Sequence, residues 1–343
     1  MIFLLEIDGS YGEGGGQILR NAIALSTILN KPVKIKNIRA NRPNPGIKAQ
    51  HYMVIKSIKE ISGAKTENLE IGSQILTFLP GKLKGGNYKF DIGTAGSITL
   101  VFQALILASL KTDNEIFIKL TGGSDVKWAP AWDYFRNIFI PIIKKIGVNV
   151  DVKLIERGYY PKGGGEAEIT INPISQIKPL KLDIETEFSK VNGIVNIGQL
   201  SNSISKRIKH SAIRTLLKNN LLADISIEEH STLSPGTGIT LWSESNNVIL
   251  GSSVLGERGI SSEEIGKNVV NNLLSEINSN STLDVFIFDQ VLPYMAIAKG
   301  ESRCFVKKIS NHAQTNMWLI KQFLDTKFEA KQEENNMRIV VNK

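Results

Sequence analysis

Asp8-Gly-Ser-Tyr-Gly-Glu-Gly-Gly-Gly-Gln17 joins a short apolar run, Phe3 to Ile7, to a segment in which Ile18, Ala22, Leu25 and Leu29 recur at steps of four, three and four. That spacing puts the four on one helical face, and the run before the glycines has the length and continuity of a buried strand. Strand, glycine-rich turn and helix open an α/β unit, and the pattern returns along the chain. Pro32 to Ile38 reads as the next strand. Ala49 to Ser62 reads as a helix with Val54, Ile58 and Ile61 as its stripe and Gly63 placed to end it. Gly93-Thr-Ala-Gly-Ser97 opens a second round, continued by an apolar helix through Leu110 and a strand from Glu115 to Leu120. A third round has a helix from Trp132 to Ile146 and a strand from Val148 to Leu154. Three such rounds predict an α/β protein of α+β type, built from repeated βαβαββ-like units.

Arg157-Gly-Tyr-Tyr-Pro-Lys-Gly-Gly-Gly165 breaks any helix and reads as a hairpin or turn. From Lys181 to Asn280 the composition shifts toward Ser, Asn and Ile, with a basic helix at Lys206 to Lys218. This predicts a smaller second domain over 181–280, set between the two parts, 1–180 and 281–343, of a larger one. After it, Leu283 to Phe288 reads as a strand, Gln290 to Ala298 as a helix and Asn311 to Leu324 as another.

The chain has 343 residues, 42% of them hydrophobic and 22% charged, which excludes disordered and collagen-like classes. The longest apolar run, Ile98 to Leu110, is shorter than the ~20 residues of a membrane span and is broken by Thr99 and Gln103. Cys304 is the single cysteine, so neither an internal disulfide nor a cysteine-based zinc cage is available. Met1 to Glu6 lacks the basic start of a secretory leader. These features lead us to expect a cytoplasmic protein. Lys and Arg exceed Asp and Glu by 41 to 33, a formal charge of +8 that favours anionic partners such as nucleotides or nucleic acid.

The glycines of the first turn let backbone approach a ligand closely, and the following helix presents free N–H groups to an anion. The spacing is neither G-x-G-x-x-G nor G-x-x-x-x-G-K-[ST], so Rossmann and P-loop readings fail. A phosphate site and a merely tight strand-to-helix turn both satisfy the loop. Glu13 in its middle would repel a phosphate unless a divalent ion, held by one carboxylate and phosphate oxygens, lay between them. Arg20 lies off the apolar face behind the loop. Arg39-Ala-Asn-Arg-Pro-Asn-Pro-Gly46 sets Arg39 and Arg42 in a stiff loop suited to bidentate phosphate recognition, or to plain surface exposure.

Of the four histidines, His51 falls on an apolar stripe, His210 sits among Lys206, Arg207, Lys209 and Arg214, and His230 lies in an apparent loop. His312 stands at or just before the start of a helix whose stripe is Ala313, Met317, Ile320 and Leu324, with Asn316 as an alternative cap. A positive dipole end disfavours imidazolium and leaves a neutral, nucleophilic nitrogen. Asp289 and Gln290 are expected at the mouth of a sheet. Trp128-Ala-Pro-Ala-Trp132 offers rings either to a base or to the core. There is no G-x-S-x-G elbow, no H-E-x-x-H helix and no K-x-D-G lysine motif.

Taken in order, Gly12-Glu-Gly-Gly-Gly-Gln-Ile-Leu-Arg20, Ile38-Arg-Ala, Gly93-Thr-Ala-Gly-Ser97, Tyr160-Pro-Lys-Gly-Gly-Gly165, Asp289-Gln290 and His312-Ala-Gln-Thr-Asn316 closely resemble the RNA 3′-terminal phosphate cyclase family over nearly the full length. The resemblance implies a large domain of three βαβαββ units with a smaller α/β domain inserted near 181–280. It also implies a ligase-class reaction in which ATP adenylates His312, AMP passes to an RNA 3′-phosphate, and the neighbouring 2′-OH closes a 2′,3′-cyclic phosphate. Carried over by position, Gln103, Pro130, Asp289, Gln290 and His312 are the nucleotide contacts. Arg20, Arg39, Arg42 and Gln50 are the phosphate and RNA-end contacts, and Glu13 is the contact to Mg²⁺ or Mn²⁺. Phe286 stands where the bacterial enzymes are expected to carry a tyrosine. Two rivals remain at this point: a non-catalytic cyclase-like factor in ribosomal RNA processing, and an enolpyruvyl transferase-like enzyme built from related units.

Overall fold

A computed structural model describes residues 4–183 and 187–343, so the expected start of the first strand at Phe3 lies outside the described residues. The first stretch runs β1 (Leu5–Asp8), α1 (Gly16–Leu29), β2 (Val33–Lys36), α2 (Ala49–Ser62), β3 (Lys65–Glu67) and β4 (Leu76–Leu79). The second runs β5 (Gly86–Asp91), α3 (Ile98–Ser109), β6 (Ile116–Gly122), α4 (Trp132–Tyr134), a π-helical turn (Phe135–Phe139), α5 (Ile140–Lys145), β7 (Val150–Glu156) and β8 (Gly165–Ile171). Then come β9 (Lys190–Gly198), α6 (Asn202–Leu217), β10 (Leu222–His230), β11 (Gly236–Ser245), β12 (Val248–Leu255) and α7 (Ser262–Ile277). The chain closes with α8 (Val285–Ile297), β13 (Ser302–Val306), α9 (Asn311–Phe323), β14 (Lys327–Gln332) and β15 (Met337–Asn342).

The first two stretches form sheets of like order, β1-β2-β4-β3 and β5-β6-β8-β7. In each, the first two strands are parallel and the last strand in sequence pairs antiparallel with both of its neighbours. The sheet β13-β15-β14 is antiparallel, and a parallel bridge from Lys181 to Arg303 lays earlier chain against β13. A fourth sheet, β10-β9-β11-β12, is covered by α6 and α7 over its own apolar cluster, which includes Val191, Val195, Ile208, Leu241, Val269 and Leu273.

Helices α1 and α3 are buried on most of their circumference. Ten of the twelve residues of α3 are buried, which accounts for the long apolar run at 98–110 as a central helix. No helix among the described residues is long and apolar enough to cross a membrane. Asn30 in the left-handed region, at φ 53°, ends α1, and Gly63 at φ 63° ends α2.

The expected strand at Leu283 to Phe288 is instead the start of α8. A short apolar run fits a buried strand or a buried helix equally well, and the side chain of Asp284 decides the matter. Its Oδ1 accepts the Phe286 and Ile287 N–H groups at 3.0 Å each, capping the helix. Asp289 and Gln290 therefore lie on a helix, not at the mouth of a sheet.

The fourth sheet is fixed to the second by a buried ionic cluster. Arg157, fully buried after β7, donates to Asp125 at 3.0 Å, to Asp133 at 3.2 Å and to Glu228 of β10 at 3.1 Å. Asn196 of β9 joins it, donating to Asp133 at 3.2 Å and accepting the Tyr159 hydroxyl at 2.7 Å. His230, expected in a loop, ends β10 with Nε2 3.4 Å from Glu228. Desolvation works against the Arg157 charge, but Asp125 and Asp133 outweigh it and hold the guanidinium above its ordinary value. Removing Arg157 leaves buried Asp125 without a cation and leaves Asp133 and Glu228 only Arg136, at 3.5 and 3.7 Å, so Arg157→Met is expected to cost about 3–5 kcal/mol in urea unfolding. A loss under about 1 kcal/mol would show that the cluster is not needed to hold the sheet.

Candidate functional site

Pro293 lies inside α8 and has no N–H for the Asp289 carbonyl one turn back. That carbonyl is taken instead by Asn316 Nδ2 of α9 at 2.7 Å, while Asn316 Oδ1 accepts Asn21 Nδ2 of α1 at 2.8 Å. One buried amide thus ties three helices together and sets Arg20, Asp289 and His312 around a common point. Asn316 is not the cap of α9. Ser310 has that role, its Oγ accepting the Ala313 N–H at 3.0 Å, so His312 sits in the first turn.

The glycine loop is folded onto α9 by the Tyr11 and Trp318 rings, stacked with centroids 3.9 Å apart. Gly12 and Gly14 adopt φ of 58° and 53°, open to glycine at little cost. A Cβ on Gly16 would come within 2.0 Å of His51 Nε2, so the start of α1 tolerates no side chain there. The loop brings Glu13 to His312, with Oε2 3.2 Å from Nε2, while Gln17 Oε1 lies 2.9 Å from Nδ1 on the other side of the ring. Arg42 Nη2 is 3.6 Å from the same Glu13 carboxylate.

The surroundings are basic. Desolvation lowers the His312 pKa, with Arg20 and Arg42 adding to it and Glu13 opposing it, so the imidazole is neutral at neutral pH. Desolvation and the Arg20, Arg39 and Lys48 charges push His51 down to about 3. Asp289 is pushed up to about 8 by desolvation and by Asp284 and Glu13, against the pull of Arg20, so it is mostly protonated at neutral pH. The N-terminus of α1 has no side-chain cap, unlike those of α3, α7, α8 and α9, leaving its first N–H groups to an anion.

Gln103 of α3 donates to Gln290 Oε1, and Gln290 Nε2 donates to the Phe286 carbonyl at 2.8 Å, with the Phe286 ring itself exposed. The Pro130 carbonyl accepts the Thr99 hydroxyl at 2.8 Å. Gln50 Oε1 accepts the Ser97 N–H at 3.0 Å and so holds the Gly93–Ser97 turn. Arg39 is turned inward on its own loop, donating to the Asn44 and Gly46 carbonyls at 2.7 and 3.0 Å. The two tryptophans of 128–132 part company: Trp132 is fully buried and Trp128 is 96% exposed. His51, read from its stripe as a packed or hydrogen-bonded histidine, is buried and its Nδ1 accepts the Lys48 N–H at 3.3 Å; the sequence gives no role to Gln17 or Asn21. Only Gln17, inside the glycine motif, carried a signal that could have marked it.

Comparison with known proteins bears on this geometry. The RNA 3′-terminal phosphate cyclase family pattern matches residues 11–330. The chain belongs to the RNA 3′-terminal phosphate cyclase family. Relatives of that name include one from Pyrococcus furiosus, 42% identical over 98% of this chain and 99% of its own, and one from Korarchaeum cryptofilum, 43% identical over 94% and 93%. A third, from the bacterium Nitrosospira multiformis, is 38% identical over 97% and 95%. Among solved structures, the enolpyruvyl transferase NikO from Streptomyces tendae gives a TM-score of 0.38 at 9% identity, covering 98% of this chain and 48% of that one, a likeness too slight to carry any argument.

Within this cyclase-family chain, the Asn316 amide is the test of how the helices are held. Asn316→Leu leaves the Asp289 carbonyl and the Asn21 amide unpaired, an expected loss of about 1–3 kcal/mol in chemical denaturation. An unchanged midpoint would mean that the three helices are positioned by apolar packing alone.

Proposed function

We propose that this chain uses ATP to convert an RNA 3′-terminal phosphate into a 2′,3′-cyclic phosphate, with His312 carrying AMP in between. The observation that carries the reading is the His312 imidazole, its pKa lowered by burial, with Gln17 Oε1 2.9 Å from Nδ1 and with Nε2 turned toward Glu13, beside the uncapped start of α1 and near Arg20 and Arg42. Enzymes need a neutral nitrogen for covalent nucleotidyl transfer, and a cationic surround for the charge that develops on phosphate oxygens.

In this scheme the Nε2 lone pair attacks the α-phosphorus of ATP, forming a P–N bond as the bond to pyrophosphate breaks. With Nδ1–H donating to Gln17 Oε1, Nε2 carries the lone pair, and Glu13, 3.2 Å from it, turns away to open it for attack. An oxygen of the RNA 3′-phosphate then attacks the same phosphorus and displaces His312. Finally the 2′-OH attacks the RNA phosphorus, loses its proton and expels AMP. Gln103, Pro130, Asp289 and Gln290 are assigned to the nucleotide, with a neutral Asp289 adding no repulsion to the phosphates. Arg20, Arg42 and Gln50 are assigned to the phosphate and RNA end. Arg39 would reach an RNA end by exchanging its bonds to Asn44 and Gly46.

Among the described residues no three His, Cys, Asp or Glu side chains converge as a metal cage. One carboxylate, Glu13, facing a polyphosphate site fits Mg²⁺ or Mn²⁺ of the kind completed by phosphate oxygens and water. Such an ion would supply charge neutralisation at the phosphates, with Glu13 turning from His312 to hold it. We also read the fold as three βαβαββ units with 181–280 inserted in the third. The like order of the first two sheets and the Lys181 to Arg303 bridge support this.

Incubation with ATP labelled at the α-phosphate and Mg²⁺ or Mn²⁺ is expected to leave an acid-labile, alkali-stable label on the chain that His312→Ala abolishes while RNA binding persists. Label on His312→Ala at the unsubstituted level would overturn the assignment. No label on a folded, RNA-binding chain would favour the non-catalytic processing factor. Because burial lowers the His312 pKa, labelling should be level near neutral pH and fall on the acid side only below the ordinary histidine value of ~6.5, with a second fall above about 8 as Asp289 ionises beside the phosphates. An acid limb above pH 7 would contradict a neutral resting imidazole.

A further inference from the structure

The basic helix α6 takes no part in the site described above. From Ser201 to Leu222 the chain holds no Asp or Glu and five Lys or Arg residues. Its inward side, Ser205, Ile208, Ala212 and Leu216, is buried against its own sheet. Arg207 is held by Glu263 of α7 through two bonds of 2.7 Å. Lys206, Lys209, Arg214 and Lys218 make no ion pair among the described residues. His210, Ile213, Arg214, Leu217 and Lys218 line a shallow surface hollow of about 490 Å³. Cations spaced along a face, with apolar side chains between them, suit a single strand whose phosphates and sugar or base faces alternate.

Two ion pairs and a short stretch of chain link this face to the segment that precedes Pro130. Trp128, almost wholly exposed and at φ 62°, stands two residues before Pro130. A bulky residue in that left-handed backbone region is strained, a feature that concentrates at functional sites. Next to it, Lys127 pairs with Glu257 beyond β12. Six residues on, Glu263 holds Arg207 of α6, a reach of at most about 21 Å. Exposed Arg258 lies on that same stretch.

We propose that the outward face of α6 is a track for the phosphodiester backbone of the RNA upstream of its reacting 3′ end, entered past Trp128. This inference rests on the RNA-end reading above. It names the occupant by charge: a polyanion long enough to reach from the His312 site to α6, as the substrate itself is.

The test compares two 3′-phosphorylated RNAs of the same 3′ sequence, a trinucleotide and one of about 20 nucleotides, longer than common single-strand site sizes. The variant is Lys206→Glu, Lys209→Glu, Arg214→Glu and Lys218→Glu together, with the four Gln changes as a milder form should charge reversal disturb folding. The expected result is that the variant binds the longer RNA at least ~10-fold more weakly near 0.1 M salt, with a salt slope flatter by ~2–3 for three or four lost phosphate contacts. The trinucleotide KM and the AMP label on His312 should stay unchanged. Equal affinity and slope for the longer RNA would overturn the track, as would equal losses for both RNAs. Failure of the unsubstituted chain to take up AMP or to distinguish a 3′-phosphate from a 3′-hydroxyl would instead overturn the RNA-end reading.

Discussion

The arrangement depends on a hydrogen bond that a proline makes available. Within a regular helix the Asp289 carbonyl would be spent on the amide four residues later, and Pro293 has none. Asn316 fills the vacancy from α9 and turns its oxygen to Asn21 of α1. A side-chain amide donates and accepts at once, so a single buried residue fixes two helices relative to a third. Apolar packing alone sets approximate separations, whereas this bond sets rotation, and the rotation of α9 decides where the His312 ring points.

Charge around that ring is unevenly distributed. Arg20, Arg39, Arg42 and Lys48 come from three different segments, and Asp289, which could have neutralised one of them, is held protonated by burial. The result is a site whose field favours a polyanion before any specific contact forms. Glu13 offsets that field locally, its carboxylate 3.2 Å from His312 Nε2.

How far this was legible from the sequence varied with the range of the interaction. The bounds of α2, Ala49–Ser62, follow from its stripe and from Gly63, all of it local information. Leu283 to Phe288 is ambiguous because a buried helix and a buried strand present the same apolar run, and the Asp284 cap that separates them is a side-chain contact. Arg39 read as a phosphate fork because the composition of its loop suggested one. Its bonds to the Asn44 and Gly46 carbonyls, five and seven residues on, are contacts that loop composition does not reveal. The contact of His312 with Gln17 spans 295 positions and leaves no periodicity to detect. Motif order supplied the family, while only coordinates supply such pairings.

The chain leaves for the fourth sheet and returns from it along one strand. Leu182 N–H donates to the Arg303 carbonyl at 2.9 Å, and Thr282 N–H to the Phe305 carbonyl at 2.8 Å. Departure and re-entry are therefore two residues apart on β13, and a linker of a few residues could close the gap. Chain connectivity alone would therefore let the remaining strands keep their order without the fourth sheet. The Arg157 cluster is what converts that detachable appendage into a committed one, because excision would strand Asp125 and Asp133 beside a guanidinium stripped of Glu228 and Asn196. Modularity in connectivity and commitment in electrostatics thus meet in one interface.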